Sequence, residues 1–198
     1  RANPSGASYA ADAYRGLAAV LAAHPQVLVM TDDIYEHIRF DGGDAHHLLA
    51  AAPELRDRTL AINAVSKTYA MTGWRIGYAG GPKVLINAMK NVQSQSTSNP
   101  TSISQAAAEA ALNGDQECVR VMCRAFQERH QFVYESLSRM PDVRVLPVDG
   151  TFYSFPDFTG VIQRLGLQDD NQLSERLLSE SGVAIVAGSS FGAPGHLR

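Results

Sequence analysis

The sequence lacks a long apolar run and a surplus of basic residues. No stretch approaches the length of about 20 apolar residues that a membrane helix needs. The formal net charge of −3 gives no electrostatic support for binding nucleic acid or an anionic membrane. The expected partners are therefore small molecules, with no nucleic acid and no membrane among them, and a cytoplasmic location is the simplest interpretation.

Cysteine is almost absent, and no residues have the spacing of metal ligands. Cys118 and Cys123 are the two cysteines, and their separation fits neither a C-x-x-C metal knuckle nor a disulfide framework. His46, His47 and the other histidines lie at no metal-ligand spacing from Cys or acidic residues. We predict packing roles for both cysteines and no metal site. With 45% hydrophobic and 19% charged residues, the composition is that of an ordinary globular protein.

The most informative segment reads SKTYAMTGWRIGY and runs from Ser66 to Tyr78. It places Lys67 and Arg75 on either side of a short apolar, glycine-containing turn. A lysine amine forms an imine with a carbonyl only when it is neutral, and proteins favour the neutral form by partial burial and by neighbouring cations. The planar fork of an arginine suits a phosphate dianion, because it binds two oxygens at once. A lysine with a phosphate-binding arginine indicates a pyridoxal 5′-phosphate site.

The pattern around this segment predicts strands whose carboxyl ends carry polar groups. Val27 to Thr31 and Thr59 to Asn63 are short, mostly apolar runs, typical of strands buried on both faces of a parallel sheet. Asp32 follows the first strand and Lys67 follows the second, and Asn3 is expected to follow an earlier strand in the same way. The three polar groups should line one edge of the sheet, where open α/β sheets bind ligands.

The rest of the chain predicts further helices and strands. Ser8 has the features of an N-cap for a helix that ends before Pro25. A strand at Arg75 to Ala79 should precede a helix that Pro82 opens and that continues to about Ser96. The pattern predicts helices at 102–112, 116–139 and near 171–181, a short helix within 41–55, and short strands at 143–146, 151–155 and 183–186.

Four segments resemble one family. Residues 66–78 resemble the cofactor-lysine motif of the class I and II aminotransferases, a family of fold-type I pyridoxal-phosphate enzymes. The other segments, in the family's order, are NPSG (3–6), DDIYE (32–36) and FGAPGHLR (191–198). The likeness is greatest to bacterial aspartate-type enzymes.

The resemblance implies an α/β fold of the type I pyridoxal-phosphate transferases. That fold has a large domain with a mainly parallel sheet and a smaller α+β domain. Residues 1–125 are expected to be the C-terminal part of the large domain, and residues 126–198 part of the small one. The 75–79 strand is expected to be the antiparallel member of the sheet. Because relatives are about twice as long, a C-terminal fragment is expected.

The resemblance also implies a role for each matching residue. Lys67 is expected to carry the cofactor as a Schiff base and then to move a proton between the substrate and the cofactor. Asp32 should pair with the pyridine nitrogen, although a strand-end aspartate is otherwise a turn or cap residue. The remaining expected contacts are with the cofactor's phenolic oxygen (Tyr35 and Asn3), its phosphate (Ser66 and Arg75) and the substrate α-carboxylate (Arg198).

Some positions depart from the family or leave alternatives open. Ala64 lacks the hydroxyl that many relatives use for phosphate, and Ser94 stands where some aspartate-specific relatives carry an arginine. Asn3 has an alternative role in an Asx-turn, since N-P-x-G is a good turn sequence. The resemblance implies a phosphate contact across a dimer interface from Ser98 or Asn99. Residues 150–155 match either a family segment or an ordinary buried strand.

The family resemblance implies a homodimeric aminotransferase. Such an enzyme moves an amino group from an amino acid, with aspartate or a similar one expected here, to a 2-oxo acid such as 2-oxoglutarate. A lyase or synthase on the same fold is an alternative, because the cofactor residues do not determine which group leaves the substrate. A second alternative is a pyridoxal-phosphate-binding effector domain of a transcription regulator.

Overall fold

The computed structural model describes residues 2–43 and 46–198, which form two compact units. One unit is Tyr9–Met122, and the other combines residues 2–8 with Cys123–Arg198. The fold is mixed α/β. Its helices and strands are α1 (Ala11–Ala22), β1 (Val29–Asp32), α2 (Leu48–Ala51), β2 (Thr59–Ala64), α3 (Val65–Thr68), β3 (Gly77–Gly80), α4 (Lys83–Ser94), α5 (Ser102–Asn113), α6 (Glu117–Ser138), α7 (Thr159–Arg164) and α8 (Asp170–Ser181), with 3-10 helices at Pro53–Arg58, Thr72–Trp74 and Gly188–Phe191.

The described strands form one sheet in the order β1-β2-β3. β1 and β2 are parallel, with Asp32 opposite Ile62. β2 and β3 are antiparallel, with Ala64 opposite Gly77. The predicted parallel pair and the predicted antiparallel strand are therefore confirmed, although β3 begins at Gly77 rather than at Arg75.

The prediction that the first strand is buried on both faces is wrong for this chain. Val29 is partly buried and packs against a core cluster formed by α1, α2 and the 3-10 helix after α2. Met30, which points to the opposite face, is 68% exposed, and Leu28 is 73% exposed. Apolar sequence alone does not distinguish a strand covered on two faces from one covered on one face.

An arginine anchors the C-terminal end of α1 to the start of β2. The first core cluster consists of Ala18, Leu48, Ala52 and Leu55. Beside it, the Arg58 guanidinium donates hydrogen bonds to the carbonyl oxygens of Leu21, His24 and Val27 at 2.6–2.8 Å. Leu21 lies in the last turn of α1, where carbonyls carry partial negative charge that a cation stabilises, and His24 and Val27 lie in the segment between α1 and β1.

The predicted N-cap of the first helix is wrong. α1 begins at Ala11 with Ala10 at the cap position and no side-chain cap. The backbone N–H and hydroxyl of Ser8 instead donate to the Asp149 carboxylate at 3.1 and 2.9 Å. The Ser8 side chain, which the local pattern assigns to the helix, therefore binds a residue far away in the sequence instead.

The predicted strands in the second unit are also wrong. The segments 143–146, 151–155 and 183–186 form no strand, and isolated bridges pair Arg144 with Asp157, Asp157 with His196, and Ala187 with Leu197. Pro147 and Pro156 each lack the N–H that a longer ladder needs. The core of this unit is apolar and centres on Ile162, Leu173 and Leu197.

The longest described helix, α6, fits the predicted 116–139 helix to within a residue at each end. It is amphipathic, and Val119 is its buried residue. None of the described helices, α6 included, is long and apolar enough to cross a membrane.

Candidate active site

Sheet register places the key polar residues of the first unit at one edge. β1 and β2 run parallel and end at Asp32 and Ala64, and the Asp33 N–H donates to the Ile62 carbonyl at 2.9 Å. Lys67 lies three residues beyond the end of β2. Because Ala64 pairs with Gly77, β3 starts where β2 ends. Arg75, two residues before β3, therefore lies at the same edge as Asp32 and Lys67.

Lys67 and Ser66 lie on α3, a single helical turn with an apolar side held in the core. Val65 is fully buried and packs with Ile76 and Ala108, which joins α3 to the approach to β3 and to α5. Ser66 and Lys67 are half-buried. Next to Lys67, the Thr68 hydroxyl oxygen is buried and has no hydrogen-bond partner among the described residues. The turn is thus attached to the core through Val65, and its half-buried residues carry the Lys67 amine and the Ser66 hydroxyl group.

Arg75 has an unusual backbone conformation. Its φ of 56° and ψ of 46° lie in the left-handed region, at the end of the 3-10 helix Thr72–Trp74. Its guanidinium donates to the Thr72 carbonyl at 2.9 Å. A residue with a side chain costs of order 1 kcal/mol in this region, and such strain is common at ligand sites. The conformation ends the 3-10 helix sharply and starts β3 after one further residue.

The turn after β1 carries the other two predicted cofactor contacts. Asp32 is exposed, and its carboxylate accepts a hydrogen bond from the Ile34 N–H at 3.3 Å, so it also serves the turn role that the sequence left open. Tyr35 is 7% exposed. The two residues differ in burial because one lies at the sheet edge and the other packs into the core.

The sequence did not reveal a cluster around the Glu36 carboxylate, in the turn that follows β1. Glu36 accepts a hydrogen bond from the Asn63 side-chain amide in β2, and its carboxylate lies 3.2 Å from His37 Nε2 and 2.9 Å from His47 Nε2. His47 Nδ1 also lies 3.8 Å from Asp33. The cluster joins the turn that carries Tyr35 to the strand that precedes Lys67. Glu36 ends the DDIYE segment and His37 follows it directly, but Asn63 and His47 lie too far along the chain for a local pattern to reveal.

The cluster shifts the pKa of both Glu36 and His37. Burial by itself raises the pKa of Glu36, but the hydrogen bond from His37, the charges of His37 and His47 and the Asn63 amide together outweigh it. The pKa of Glu36 therefore lies below its ordinary value. The hydrogen bond to Glu36 raises the pKa of His37, against the opposing effect of burial. Each group thus stabilises the charged form of the other.

We expect Glu36→Gln to destabilise the protein most between about pH 4.3 and pH 6.5, the ordinary pKa values of Glu and His. A carboxyl with a lowered pKa contributes stability above its unfolded pKa and loses it as the pH falls. A histidine with a raised pKa contributes below its unfolded pKa and loses it as the pH rises. Because His37 is half exposed, the extra loss in this window is about 0.5 kcal/mol. Urea unfolding from pH 3.5 to 8.5 measures it.

Glu54→Gln serves as the matched control for this measurement. Glu54 is an exposed glutamate on the 3-10 helix after α2. Its substitution should change the unfolding free energy by only a small amount. A Glu36→Gln effect that does not vary with pH would contradict the proposed coupling of Glu36 with His37.

The other two predicted site residues lie in the second unit and contact each other. The Arg198 guanidinium donates to the Asn3 side-chain oxygen at 3.0 Å. Its central carbon lies 4.9 Å from the ring centre of Tyr153 and 4.9 Å from that of Phe191. The backbone of Arg198 exchanges two hydrogen bonds with Val186, at 2.9 and 3.1 Å. Both the main chain and the side chain of this arginine are therefore held in place.

A buried carboxylate fixes the segment that carries Phe191. Asp170, at the start of α8, has 0% exposure, and it accepts hydrogen bonds from the Ser189 N–H at 2.7 Å and the Ser189 hydroxyl at 2.6 Å. Burial by itself raises the pKa of Asp170, but the hydrogen bonds from Ser189, together with backbone hydrogen bonds from Asp170 itself and Gly195, outweigh it, so the pKa is lowered. Gly188 begins the 3-10 helix Gly188–Phe191, which contains Ser189. A side chain does not fit at Gly188, because an added Cβ would lie 2.3 Å from the Ala193 carbonyl oxygen.

The segment with Ser98 and Asn99, one of which is expected to contact a phosphate across a dimer interface, has a defined local structure. Ser98 has a φ of 64°, and the Asn99 side-chain amide donates to the Pro100 carbonyl at 2.9 Å.

In the part of the chain that the structure describes, no group of three or more His, Cys, Asp or Glu side chains is arranged to hold a metal ion.

The residues at the sheet edge fit a phosphorylated aldehyde of pyridine. Lys67 supplies an amine for the aldehyde, Arg75 a permanent cation for the phosphate, and Asp32 a carboxylate for the ring nitrogen. The buried Thr68 hydroxyl, next to Lys67 in the sequence, has no hydrogen-bond partner among the described residues. The amine, the cation and the carboxylate are the chemical types that such a group requires, carried on neighbouring strand ends.

Comparisons with known proteins agree with this arrangement. A model of the family described as aminotransferase class I and II matches residues 2–198. The aspartate/prephenate aminotransferase of Nitrosomonas europaea is 48% identical over 99% of this chain and 51% of its own length. The aspartate aminotransferase structure from Rhizobium meliloti has a TM-score of 0.91 and 44% identity, and covers 99% of this chain and 50% of its own.

A more distant structure also matches. The aromatic aminotransferase of Pyrococcus horikoshii has a TM-score of 0.88 and 32% identity, and covers 99% of this chain and 52% of its own. The chain thus spans about half the length of the relatives it matches.

Proposed function

The chain belongs to the class I and II aminotransferase family, and from this we propose that it forms part of a pyridoxal-phosphate-dependent aminotransferase. The observation that carries the proposal is the register of the sheet. Parallel pairing of β1 with β2 and antiparallel pairing of β2 with β3 bring the ends that carry Asp32, Lys67 and Arg75 to one edge.

Pyridoxal phosphate, when bound, supplies a ring that accepts electrons from the substrate α-carbon. In our proposal, Lys67 binds this group covalently through its amine. Lys67 would also accept the proton from the substrate α-carbon and deliver it to the C4′ atom of the group. Its attachment to the buried Val65 turn limits the positions that the amine can reach, which favours a directed proton transfer.

The other residues at the sheet edge hold the group and set its protonation. Asp32 keeps a proton on the ring nitrogen through a charge-assisted hydrogen bond, worth about 1.5–3 kcal/mol. Arg75 and Ser66 bind phosphate oxygens, and Tyr35 donates to the phenolic oxygen. Glu36 acts behind them, because its contacts hold the turn of Tyr35 against β2.

Arg198 binds the α-carboxylate of the amino acid, and Asn3 supports it. The planar guanidinium suits a carboxylate, because two parallel N–H groups can bind both oxygens. Asn3 accepts a hydrogen bond from Arg198, and it is also the residue proposed to contact the phenolic oxygen. This bond supports a role for Asn3 in holding both the cofactor and the carboxylate-binding arginine.

The names of the relatives favour transfer of the amino group over elimination. We propose aspartate, or a similar acidic amino acid, as the donor and 2-oxoglutarate as an acceptor. We also propose the type I two-domain layout, with residues 1–125 in the large domain and residues 126–198 in the small one. A homodimer, with Ser98 or Asn99 near the partner's phosphate site, and a cytoplasmic location remain predictions from the sequence.

The test is amino-group exchange by the full-length protein that contains this chain. The protein is incubated with pyridoxal phosphate, aspartate and 2-oxoglutarate, and the products are identified by mass spectrometry. We expect glutamate and oxaloacetate in equal amounts, with the donor's nitrogen recovered in glutamate. Ammonia or a carbon-sulfur cleavage product from other amino acids, without exchange, would support a lyase instead.

A further inference from the structure

The rings of Tyr153 and Phe191 lie against the Arg198 guanidinium at equal distances. The guanidinium carbon is 4.9 Å from each ring centre, within the range at which a cation is attracted to an aromatic face. We propose that Tyr153 and Phe191 are positioning residues that hold Arg198 ready for the substrate carboxylate. The inference rests on the proposed role of Arg198 as the carboxylate-binding residue.

The two aromatic neighbours would restrict the directions from which a ligand can reach the Arg198 guanidinium. Ring contacts shield the charge of a guanidinium from water at its faces and leave its N–H groups directed outwards in its own plane. One of these groups donates to Asn3, and no carboxylate among the described residues is paired with Arg198. The remaining in-plane N–H groups can serve a planar carboxylate that binds edge to edge.

The clamp formed by Tyr153, Arg198 and Phe191 is itself fixed by the packing around it. The Phe191 ring contacts Phe155 edge to face at 6.0 Å, and Phe155 stacks on His196 at 4.9 Å. The Tyr153 ring lies 4.8 Å from that of Phe152. Neither ring can therefore turn away from the arginine without disturbing a neighbouring aromatic contact.

Holding Arg198 in place lowers the entropic cost of binding a substrate. A free arginine side chain loses up to about 2 kcal/mol of conformational freedom when it is immobilised. If the clamp has already imposed that order in the folded protein, the carboxylate does not have to impose it. The clamp should thus strengthen carboxylate binding and leave the covalent site at Lys67 unchanged.

The test uses Phe191→Leu and Tyr153→Leu in the full-length holoenzyme. Succinate, a dicarboxylate without an amino group, is the probe, and calorimetry measures its dissociation constant. We expect each variant to weaken succinate binding and to raise the KM for aspartate by about three- to tenfold. We expect kcat to change less than twofold and cofactor affinity to be unchanged. Phe191→Tyr and Tyr153→Phe keep the rings and should restore binding.

Phe132→Leu is the matched control, because Phe132 is 72% exposed on α6. If Phe191→Leu proves unstable, Tyr153→Leu tests the clamp from the other side. Unchanged succinate binding in the folded leucine variants, or equal losses of succinate and cofactor affinity, would overturn the proposal. Failure of the proposed function gives a different result: the unmodified protein exchanges no amino group, although succinate binding still reports on the clamp.

Discussion

Replacing Lys67 with alanine is expected to abolish covalent attachment of pyridoxal phosphate and to lower the rate of amino-group exchange by about 10²–10⁴-fold. Lys67 lies on a half-buried turn directly after β2, at the sheet edge shared with Asp32 and Arg75. No other residue of the chain supplies an amine from that turn. Absorbance in the visible range measures attachment, and product formation from aspartate and 2-oxoglutarate measures exchange.

Lys90→Ala is the control for the Lys67 prediction. Lys90 is an exposed lysine on α4, and its loss should leave both the absorbance and the exchange rate unchanged. Lys67→Ala should keep the unfolding temperature of the unmodified protein when both are compared without cofactor. A Lys67→Ala variant that still exchanges amino groups at the unmodified rate would disprove the role assigned to Lys67.

The largest expected effect on stability follows substitution of Asp170 with alanine. Asp170 is fully buried and accepts two hydrogen bonds from Ser189. Alanine would remove the carboxylate and leave the Ser189 N–H and hydroxyl without a partner inside the protein, at a cost of about 2–4 kcal/mol. Asp170→Asn keeps the size and one acceptor, so its cost should be smaller. Urea unfolding of the full-length protein at pH 7 measures both.

The contribution of Asp170 should depend on pH in a defined direction. The pKa of Asp170 is lowered in the folded protein, so its contribution is present above the unfolded value of about 3.9 and is lost as the pH falls through the folded value. The difference between the unmodified protein and Asp170→Ala should thus shrink below about pH 4. Asp57→Ala, at an exposed aspartate, should cost little at pH 7. A similarly small cost for Asp170→Ala would contradict this account.

Local patterns in the sequence predicted the sheet edge well. The apolar runs before Asp32 and Lys67 correctly indicated β1, β2 and their parallel pairing, and the glycine-bounded run at 75–79 indicated β3, whose antiparallel direction came from the family resemblance. These elements are defined by short-range alternation and by breakers, which a single sequence displays. Chemical reasoning from a lysine and an arginine then gave the class of cofactor, and the family comparison confirmed it.

Features that depend on distant partners could not be predicted. Ser8 has the sequence context of a helix cap, but Asp149 binds it. The predicted strands of the second unit are not formed, and isolated bridges join Arg144 with Asp157, Asp157 with His196, and Ala187 with Leu197 instead. The contacts of Glu36 with Asn63, of Asp170 with Ser189 and of Phe191 with Arg198 each join residues from separate elements. No spacing rule on one strand or helix reveals such pairs.

The central claim is most directly tested by finding the residue that binds pyridoxal phosphate. The full-length protein is mixed with the cofactor, reduced with borohydride to make the bond permanent, digested, and examined by peptide mass spectrometry. The chain offers three lysines, Lys67, Lys83 and Lys90. We predict the added pyridoxyl mass on the peptide that contains Lys67, and its loss when excess aspartate is added before reduction. Attachment at Lys83, at Lys90 or at a lysine outside this chain, with Lys67 unmodified, would contradict the proposal.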